Sequence, residues 1–552
     1  MTADLEQRTT GGSAPTRPRR RWLTPLLVVL MLAQMAVAMV TTAVQQTPTI
    51  DEPVYVGTAV TYLEQHSFHY NPEHPPLGKL LIAAGLAVAA PKLDPAFRGD
   101  QTALGRHVLY EAGNDPYEMM FWARLPLIVL TLLFGLVVFG FARDLVGRAG
   151  GLLALALYAF SPDVITHGSL ATLDVPAVGF LLTAVWLTWR ARHSPRVPLL
   201  LGLAGLALGA ALATRMSVLP AVPVVLLLAL LATTAWRRGV AIRERLQGLA
   251  LVAGAGAVAI AVVWLSYLAV DPALRWTEPT GLPAMSGLRG LLTSLLPLPE
   301  AYRDGMRIQF AFEDSTFSGF LFGRHYQGSL WYYLPAALLV KTPIGMLVLW
   351  AVGSAAMLTV PRLRAAAPYV LVLPALLFAV AMTGARDFGT RYTIFLPMFL
   401  AVAAAAVLTL RWRWVRPAAG VLAGWVAVSS MLTFPYYLPY ANEAFGGPTR
   451  THLLLHDSNV DWGQDLGRLA DHLRERYPGE QVWLVYKGAG VPAAYGIDAE
   501  NPLKVPAEQV RGLLVVSDSS VAKATGRLAA LLETSGQPID EVGHSMRIYR
   551  RG

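Results

Sequence analysis

Apolar residues along the chain gather into runs about as long as a bilayer is thick, separated by short polar gaps. A spanning helix needs roughly 20 consecutive apolar residues. Runs of that kind fall near 23–45, 121–142, 149–167, 171–189, 197–214, 217–236, 249–269, 343–360, 366–384, 392–410 and 415–435. The pattern predicts a polytopic α-helical membrane protein with about eleven transmembrane helices. The first run follows Arg17, Arg19, Arg20 and Arg21 as a signal peptide would, but it is longer than the apolar region of one and reads as an anchor. Residues 1–21, rich in Thr, Gly, Pro and Arg, read as a disordered tail.

After Tyr440 the periodicity changes. "DLGRLADHLRERY" has the spacing of an amphipathic helix, "QVWLVY" and "GLLVVSD" are strand-like, "SVAKATGRLAALLETSG" is a second helix and "HSMRIYR" a last strand. A small C-terminal α/β domain over 439–552 is expected, with 22–438 as the membrane domain.

Composition agrees, since 54% hydrophobic and 15% charged residues are too apolar for a soluble globular chain. The formal net charge of +9 invites a nucleic-acid reading. The 45 Lys and Arg residues, however, fall mostly in short clusters between apolar runs and form no basic face interleaved with aromatics, so no nucleic-acid partner is expected. Clusters around Arg143, Arg190, Arg237, Arg362 and Arg411 occupy alternate connections, on the same side as the N-terminus. The positive-inside rule assigns that side to the cytoplasm of a cell membrane and makes the C-terminal domain extracytoplasmic. Residues 46–120, the turn around Asp174, loop 270–342 and the turn "ARDFGTRY" then all face outward. The absence of cysteine excludes disulfides, a thiolate nucleophile and zinc–thiolate sites.

The polar residues of chemical interest are thus gathered on one face. "DEPVYVGTAVTYLEQ", just after the first run, has the acidic first turn and early proline of a helix start, which predicts a short surface helix. Asp51 and Glu52 at its beginning would sit partly desolvated at the lipid boundary, as a base or metal ligand requires, although such acids also serve simply to complement a helix dipole. "NPEHPPLGKLL" adds His74 and Lys79 beside two stiffening prolines. A metal reading of His74 lacks support from any HExxH or Asp-x-Asp spacing. "DSNVDWGQDL" imitates a calcium loop through Asp457, Asn459 and Asp461 but places Trp462 where glycine is needed and Arg468 where the terminal glutamate should stand. It reads instead as a polar loop capping a helix that starts near Asp465. No cofactor is specified; a divalent cation is left open and its ligands are unknown.

An Asp-Glu after the first span followed by His-Pro-Pro-x-x-Lys resembles the first external loop of the protein O-mannosyltransferase and aminoarabinose transferase group of GT-C glycosyltransferases. The resemblance extends through "FWARLPLIVLTLLFG" at 121–135, "SLATLDVPAVGF" at 169–180, "GLALGAALATRMS" at 205–217 and "GTRYTIFLPMF" at 389–399, and "PYANEAFGGPTRTHLLLHDSNVDWGQDL" at 439–466 is similar to bacterial members. It implies a GT-C fold and inverting transfer of a monosaccharide from a polyprenyl-phosphate donor to a hydroxyl of a protein, lipid or cell-envelope glycan acceptor. Asp51 then matches the acid that takes the acceptor proton, Glu52 its orienting neighbour, and Asp174 the second acid of the family. His74, Lys79, Arg124, Arg215, Arg391 and Tyr392 are expected around the donor phosphate, although snorkelling to headgroups would also account for the cations. A transporter or flippase of a lipid-linked sugar is the competing class. It would show inverted repeats and polar residues near the bilayer midplane, and the sequence shows neither.

Overall fold

The computed structural model describes residues 22–233 and 239–552; the tail 1–21 and the cations Arg237 and Arg238 lie outside the described residues. Helix α1 (Leu23–Gln45) is followed by α2 (Glu52–Glu64), α3 (Pro76–Ala89) and the short α4 (Gln101–Arg106), before α5 (Pro116–Val146) runs back through the bundle. Then come α6 (Arg148–Ala159), α7 (Pro162–Gly168), α8 (Asp174–Ala191), α9 (Val197–Thr214), α10 (Val222–Ala232) and α11 (Ile242–Val270). A long connection holds α12 (Gly287–Leu295), α13 (Glu300–Glu313) and the hairpin β1 (Ser318–Leu321) and β2 (Arg324–Gln327). The bundle is completed by α14 (Tyr333–Lys341), α15 (Ile344–Thr359), α16 (Leu373–Ala381), α17 (Phe395–Ala404) and α18 (Val415–Thr433).

All eleven predicted windows hold helix, but fewer are single spans than the hydropathy pattern suggests. Among the described residues five helices, α1, α5, α9, α11 and α18, are each long and apolar enough to cross a bilayer, and the bent pairs α6–α7 and α14–α15 bring the number to seven. The pairs bend by 63° and 118°. Pro162 starts α7 behind an N-cap formed by Ser161, and Pro343 interrupts α14 and α15, because proline cannot supply the helical N–H. The other four windows hold α8, whose ends carry Asp174 and Arg190, and the shorter apolar stretches Met216–Ala232, Pro368–Ala381 and Phe395–Thr409.

Helices α2, α3 and α4 pack with the first turns of α5 into a separate apolar cluster at one end of the bundle. Gly105 on α4 lets that helix lie against the Pro53 carbonyl, where a Cβ would collide. This packing fixes the start of α2, and with it Asp51.

The C-terminal domain has one five-stranded sheet, formed by β3 (Val482–Val485), β4 (Ala499–Glu500), β5 (Gly512–Ser517), β6 (Asp540–Val542) and β7 (Met546–Arg551) in the order β4-β3-β5-β7-β6. Strand β3 pairs in parallel with β4 and β5, and β7 runs antiparallel to β5 and β6. Period-2 alternation buries both faces: Leu513 and Val515 meet α19 (Leu466–Arg476), whereas Leu514 and Val516 meet α21 (Gly526–Ser535), which follows the short α20 (Asp518–Ala522). The expected strands and first helix are present, the second expected helix is broken at 523–525 into α20 and α21, and the very short β4 and β6 are additions.

Candidate functional site

Glu52 and Arg124 form the buried knot on which the site is hung. Arg124 donates through Nε to Glu52 Oε1 and through Nη2 to Oε2, both at 2.7 Å. The same carboxylate accepts from Thr49 N and Oγ1 and from Ala171 N at 2.7–2.9 Å. The rest of the guanidinium donates to the carbonyls of Ala43, Gln46 and Thr47, which cap the end of α1. Burial opposes the Glu52 charge, but Arg124 and the two backbone amides outweigh it and hold the carboxyl below its ordinary value. Neither side chain is exposed, and every strong donor and acceptor is used. The expectations of a catalytic Glu52 and a phosphate-binding Arg124 are therefore revised. The pair ties the ends of α1 and α2 to α5 and to the turn before α8, and so positions Asp51 and Asp174.

Asp51, one residue earlier, has a different environment. It stands at the N-cap of α2 without making a side-chain cap, and its Oδ2 accepts from Arg391 Nη1 at 2.5 Å. Its side chain keeps 27% of its surface exposed, against 9% for Arg391. Arg391 also donates to the Tyr392 hydroxyl at 3.2 Å and lies over the rings of Tyr392 and Trp462. Asp174, in the first turn of α8, pairs with Arg215, which leaves the end of α9 in an extended conformation. The buried Tyr55 lies within reach of the charges of Asp51, Arg215, Arg391 and Glu73; burial and then the Asp51 carboxylate push its phenol above its ordinary range. The two acid–arginine pairs thus meet around one side chain of α2.

His74 is enclosed beside them, edge-on to Tyr55. Burial, followed by the charges of Arg215, Lys79, Arg386 and Arg391, holds its imidazole neutral, well below its ordinary pKa. His74 Nδ1 and Arg391 Nε are both buried without a hydrogen-bond partner among the described residues. Lys79 does not reach this space. Its Nζ donates to Asn71 O at 2.7 Å, Asn71 Oδ1 at 3.2 Å and His74 O at 2.8 Å, and burial lowers its pKa to about 7. All three ammonium protons are engaged, so Lys79 shapes the turn that presents His74; its expected phosphate contact is revised accordingly.

Several residues that the sequence did not single out belong to the same place. Glu73 accepts from Gln101 at 2.8 Å, and its carbonyl accepts from Gln309, linking the His74 turn to α13. Arg386, held by Glu313 of α13 at 2.6 Å, lies in the loop that leads to Arg391. Gly389, at φ 146°, brings that loop onto Ser458, where any Cβ would collide. Glu73 and Arg386 stand inside the quoted motifs "NPEHPPLGKLL" and "ARDFGTRY", so adjacency was the available signal.

The segment 457–465 is buried throughout and does more than cap α19; Asp465 occupies the N-cap position but makes no side-chain cap. Thr47 N donates to Gln464 O and Ile50 N to Trp462 O, both at 3.0 Å, so the segment runs beside the connection 46–50 that leads into Asp51. Asn459 accepts from Thr390 N at 3.1 Å and donates to the Tyr333 hydroxyl at 2.9 Å. Lys341 donates to the carbonyls of Leu438 and Asn459. Asp461 accepts from the amides of Gly463 and Ser519, which ties the segment to the start of α20 beside the sheet. Among the described residues no three His, Asp or Glu side chains are grouped to hold a metal ion.

Residues 28–273, which contain Asp51, His74, Asp174 and Arg215, match the family model of dolichyl-phosphate-mannose-protein mannosyltransferases. The match covers less than half of the chain, and that part resembles the protein O-mannosyltransferase type, while the fold as a whole is similar to that of an aminoarabinose transferase-type GT-C protein. The apo structure of ArnT from Cupriavidus metallidurans is similar with a TM-score of 0.50 at 14% identity, covering 96% of this chain and 98% of that one. The same protein bound to undecaprenyl phosphate gives 0.47 at 14% identity, covering 95% and 97%. The Pmt1–Pmt2 complex of S. cerevisiae gives 0.35 at 17% identity, covering 46% of this chain and 36% of that one. A comparison with curated proteins gives no match. The chain is a multi-pass membrane protein with the GT-C fold and a small C-terminal sheet.

Proposed function

We propose that this GT-C protein transfers one sugar from a polyprenyl-phosphate carrier to a hydroxyl acceptor, with inversion, on the extracytoplasmic face of the cell membrane. The observation that carries the reading is the Asp51–Arg391 pair, in which a partly exposed carboxylate shares a buried guanidinium whose Nε is still unpartnered. The family's own description names dolichyl-phosphate-mannose, a donor of this class. The donor phosphate would take Arg391, with Arg215 and the neutral His74 beside it, and Tyr392 would support the guanidinium. As the anomeric carbon–oxygen bond breaks, the leaving phosphate gains charge, which these groups stabilise. The acceptor oxygen attacks the opposite face of that carbon and loses its proton to Asp51, and a single in-line displacement of this kind inverts the centre. Asp174 holds Arg215 in place. An outward site fits a lipid-carried donor, because nucleotide sugars are made in the cytoplasm. The acceptor, whether protein, lipid or cell-envelope glycan, is set by loops outside the family motifs.

Purified protein offered a panel of polyprenyl-phosphate monosaccharides should release polyprenyl phosphate with at least one of them when a hydroxyl acceptor is present. Movement of intact lipid-linked sugar across proteoliposomes, with no release from any member of the panel, would replace this reading with the transporter.

A further inference from the structure

Trp462 stands in the motif that breaks the calcium-loop pattern, and the proposed chemistry leaves it without a task. It is one of the largest fully buried side chains of the protein. Its ring plane carries the Arg391 guanidinium at 4.4 Å, nearer than the 5.0 Å from Arg391 to the Tyr392 ring. Its carbonyl accepts from Ile50 N at 3.0 Å, immediately before Asp51. Its own N–H donates to Gln464 Oε1 at 2.8 Å, and Gln464 Nε2 returns to Val460 O, which closes the turn on itself. The His167 ring meets it edge-on at 6.3 Å, and Leu170, Leu438 and Ile50 complete its packing. One residue therefore touches both partners of the Asp51–Arg391 pair, the arginine through its π face and the aspartate segment through its main chain.

We propose that Trp462 is a positioning residue for the donor phosphate site, fixing the Arg391 guanidinium in the plane where it meets Asp51 and where an incoming phosphate would meet it. An aromatic face suits this task better than a second carboxylate, since it attracts the cation without offering a charge that would compete with the phosphate. The turn supplies the rigidity, and the arginine stays free to exchange one anionic partner for another. The inference rests on the donor reading above only in its second arm.

The first arm follows the reaction of Arg391 with an arginine-selective dicarbonyl reagent by peptide mass spectrometry, using the exposed Arg527 as internal control. Trp462→Leu should speed modification of Arg391 by about 5- to 30-fold, the range of a desolvated cation–aromatic contact, and leave Arg527 unchanged. Trp462→Phe, with a smaller face and a safe fold, should give an intermediate increase of about 2- to 5-fold and restores the ranking if the leucine variant does not fold. The second arm measures affinity for undecaprenyl phosphate, which should fall in the same order. A purely structural role would lower the unfolding temperature and change both arginines alike. Wild-type reactivity of Arg391 in Trp462→Phe and in any folded Trp462→Leu overturns the proposal. If the wild-type protein does not bind undecaprenyl phosphate, the donor reading fails while the order of Arg391 reactivities still decides the role of Trp462.

Discussion

Replacing Asp51 with Asn separates proton acceptance from everything else that this side chain does. Helix α2 does not depend on the carboxylate, because Asp51 makes no side-chain cap, and Asn serves as well as Asp at that position in any case. The amide oxygen still accepts from Arg391, and with 27% of the Asp51 side chain exposed the loss of charge should cost the fold less than breaking a fully buried pair would, about 3–5 kcal/mol. The chemical step is affected far more. General-base assistance contributes about 10²- to 10⁴-fold, or about 2.7–5.5 kcal/mol of barrier, so turnover should fall by that factor. Donor affinity should move the other way or not at all, since Arg391 loses its anionic competitor. The assay pairs initial rates of sugar transfer with equilibrium binding of the polyprenyl-phosphate donor. Near-normal turnover in the Asn variant would refute the assignment of Asp51 as base, and a fall in donor affinity that matches the fall in rate would show that Asp51 belongs to the binding site instead.

Arg215→Ala should weaken donor binding by roughly 1.5–3 kcal/mol, the worth of a hydrogen bond to a charged group; unchanged binding removes Arg215 from the phosphate site. Glu52→Gln leaves Arg124 buried without its counter-charge and should cost about 3–5 kcal/mol of stability, seen as a large drop in unfolding temperature in detergent; a shift of only a degree or two would contradict the structural role given to this pair. Burial raises the Asp461 carboxyl from 3.8 to about 6 in the folded chain, opposed only in part by the Ser519 amide and its neighbours. A raised acid contributes stability below about pH 4 and loses it as pH passes through about 6, so the wild type should lose stability over that window relative to Asp461→Asn, and parallel pH profiles would reject the assignment. Because the chain has no native cysteine, single cysteines report topology cleanly: one placed at the exposed Asn501 should react with an impermeant thiol reagent in intact cells and one at Arg411 should not, and equal labelling would overturn the orientation.

The membrane part was legible because bilayer-scale apolarity is a sum over some twenty residues, and no single substitution hides it. Helix breaks were less visible. The window 149–167 is apolar on average, with Ser161, Asp163 and Thr166 too few to interrupt the run, yet Pro162 turns the chain by 63° inside it. In the C-terminal domain the alternating runs gave β3, β5 and β7, while β4 and β6, of two and three residues, are too short for any period to register. The residue types of the site were also legible, but their pairing was not. Asp51 and Glu52 are neighbours in sequence with the same charge, and one meets an arginine 340 positions away while the other meets one 72 positions away. Which acid stays reactive follows from how many donors each one collects, a property of the folded chain. Lys79 shows the same limit, since nothing local reveals that its three protons end on Asn71 and His74.

The calcium-like motif, expected only to cap α19, makes the most instructive correction, because its acids and amides are engaged by protein groups across a junction and the cap itself is not made. Asp461 bonds to backbone amides, Asn459 spans Thr390 and Tyr333, and Asp457 pairs with Lys487 at the end of β3. A short polar segment rich in Asp, Asn and Gly competes well for backbone groups, and that is what a buried junction needs when three pieces of irregular chain must be satisfied without water. Those pieces are the connection 46–50 that leads into Asp51, the loop that carries Arg391, and the chain that leaves the carboxyl ends of β3 and β5. Each alone would leave unpaired amides at the bundle surface; together, through 457–465, they bury them. The C-terminal domain is therefore joined to the bundle by the same hydrogen bonds that set the Asp51–Arg391 geometry, and displacing the domain would release the segment 46–50 that leads into Asp51.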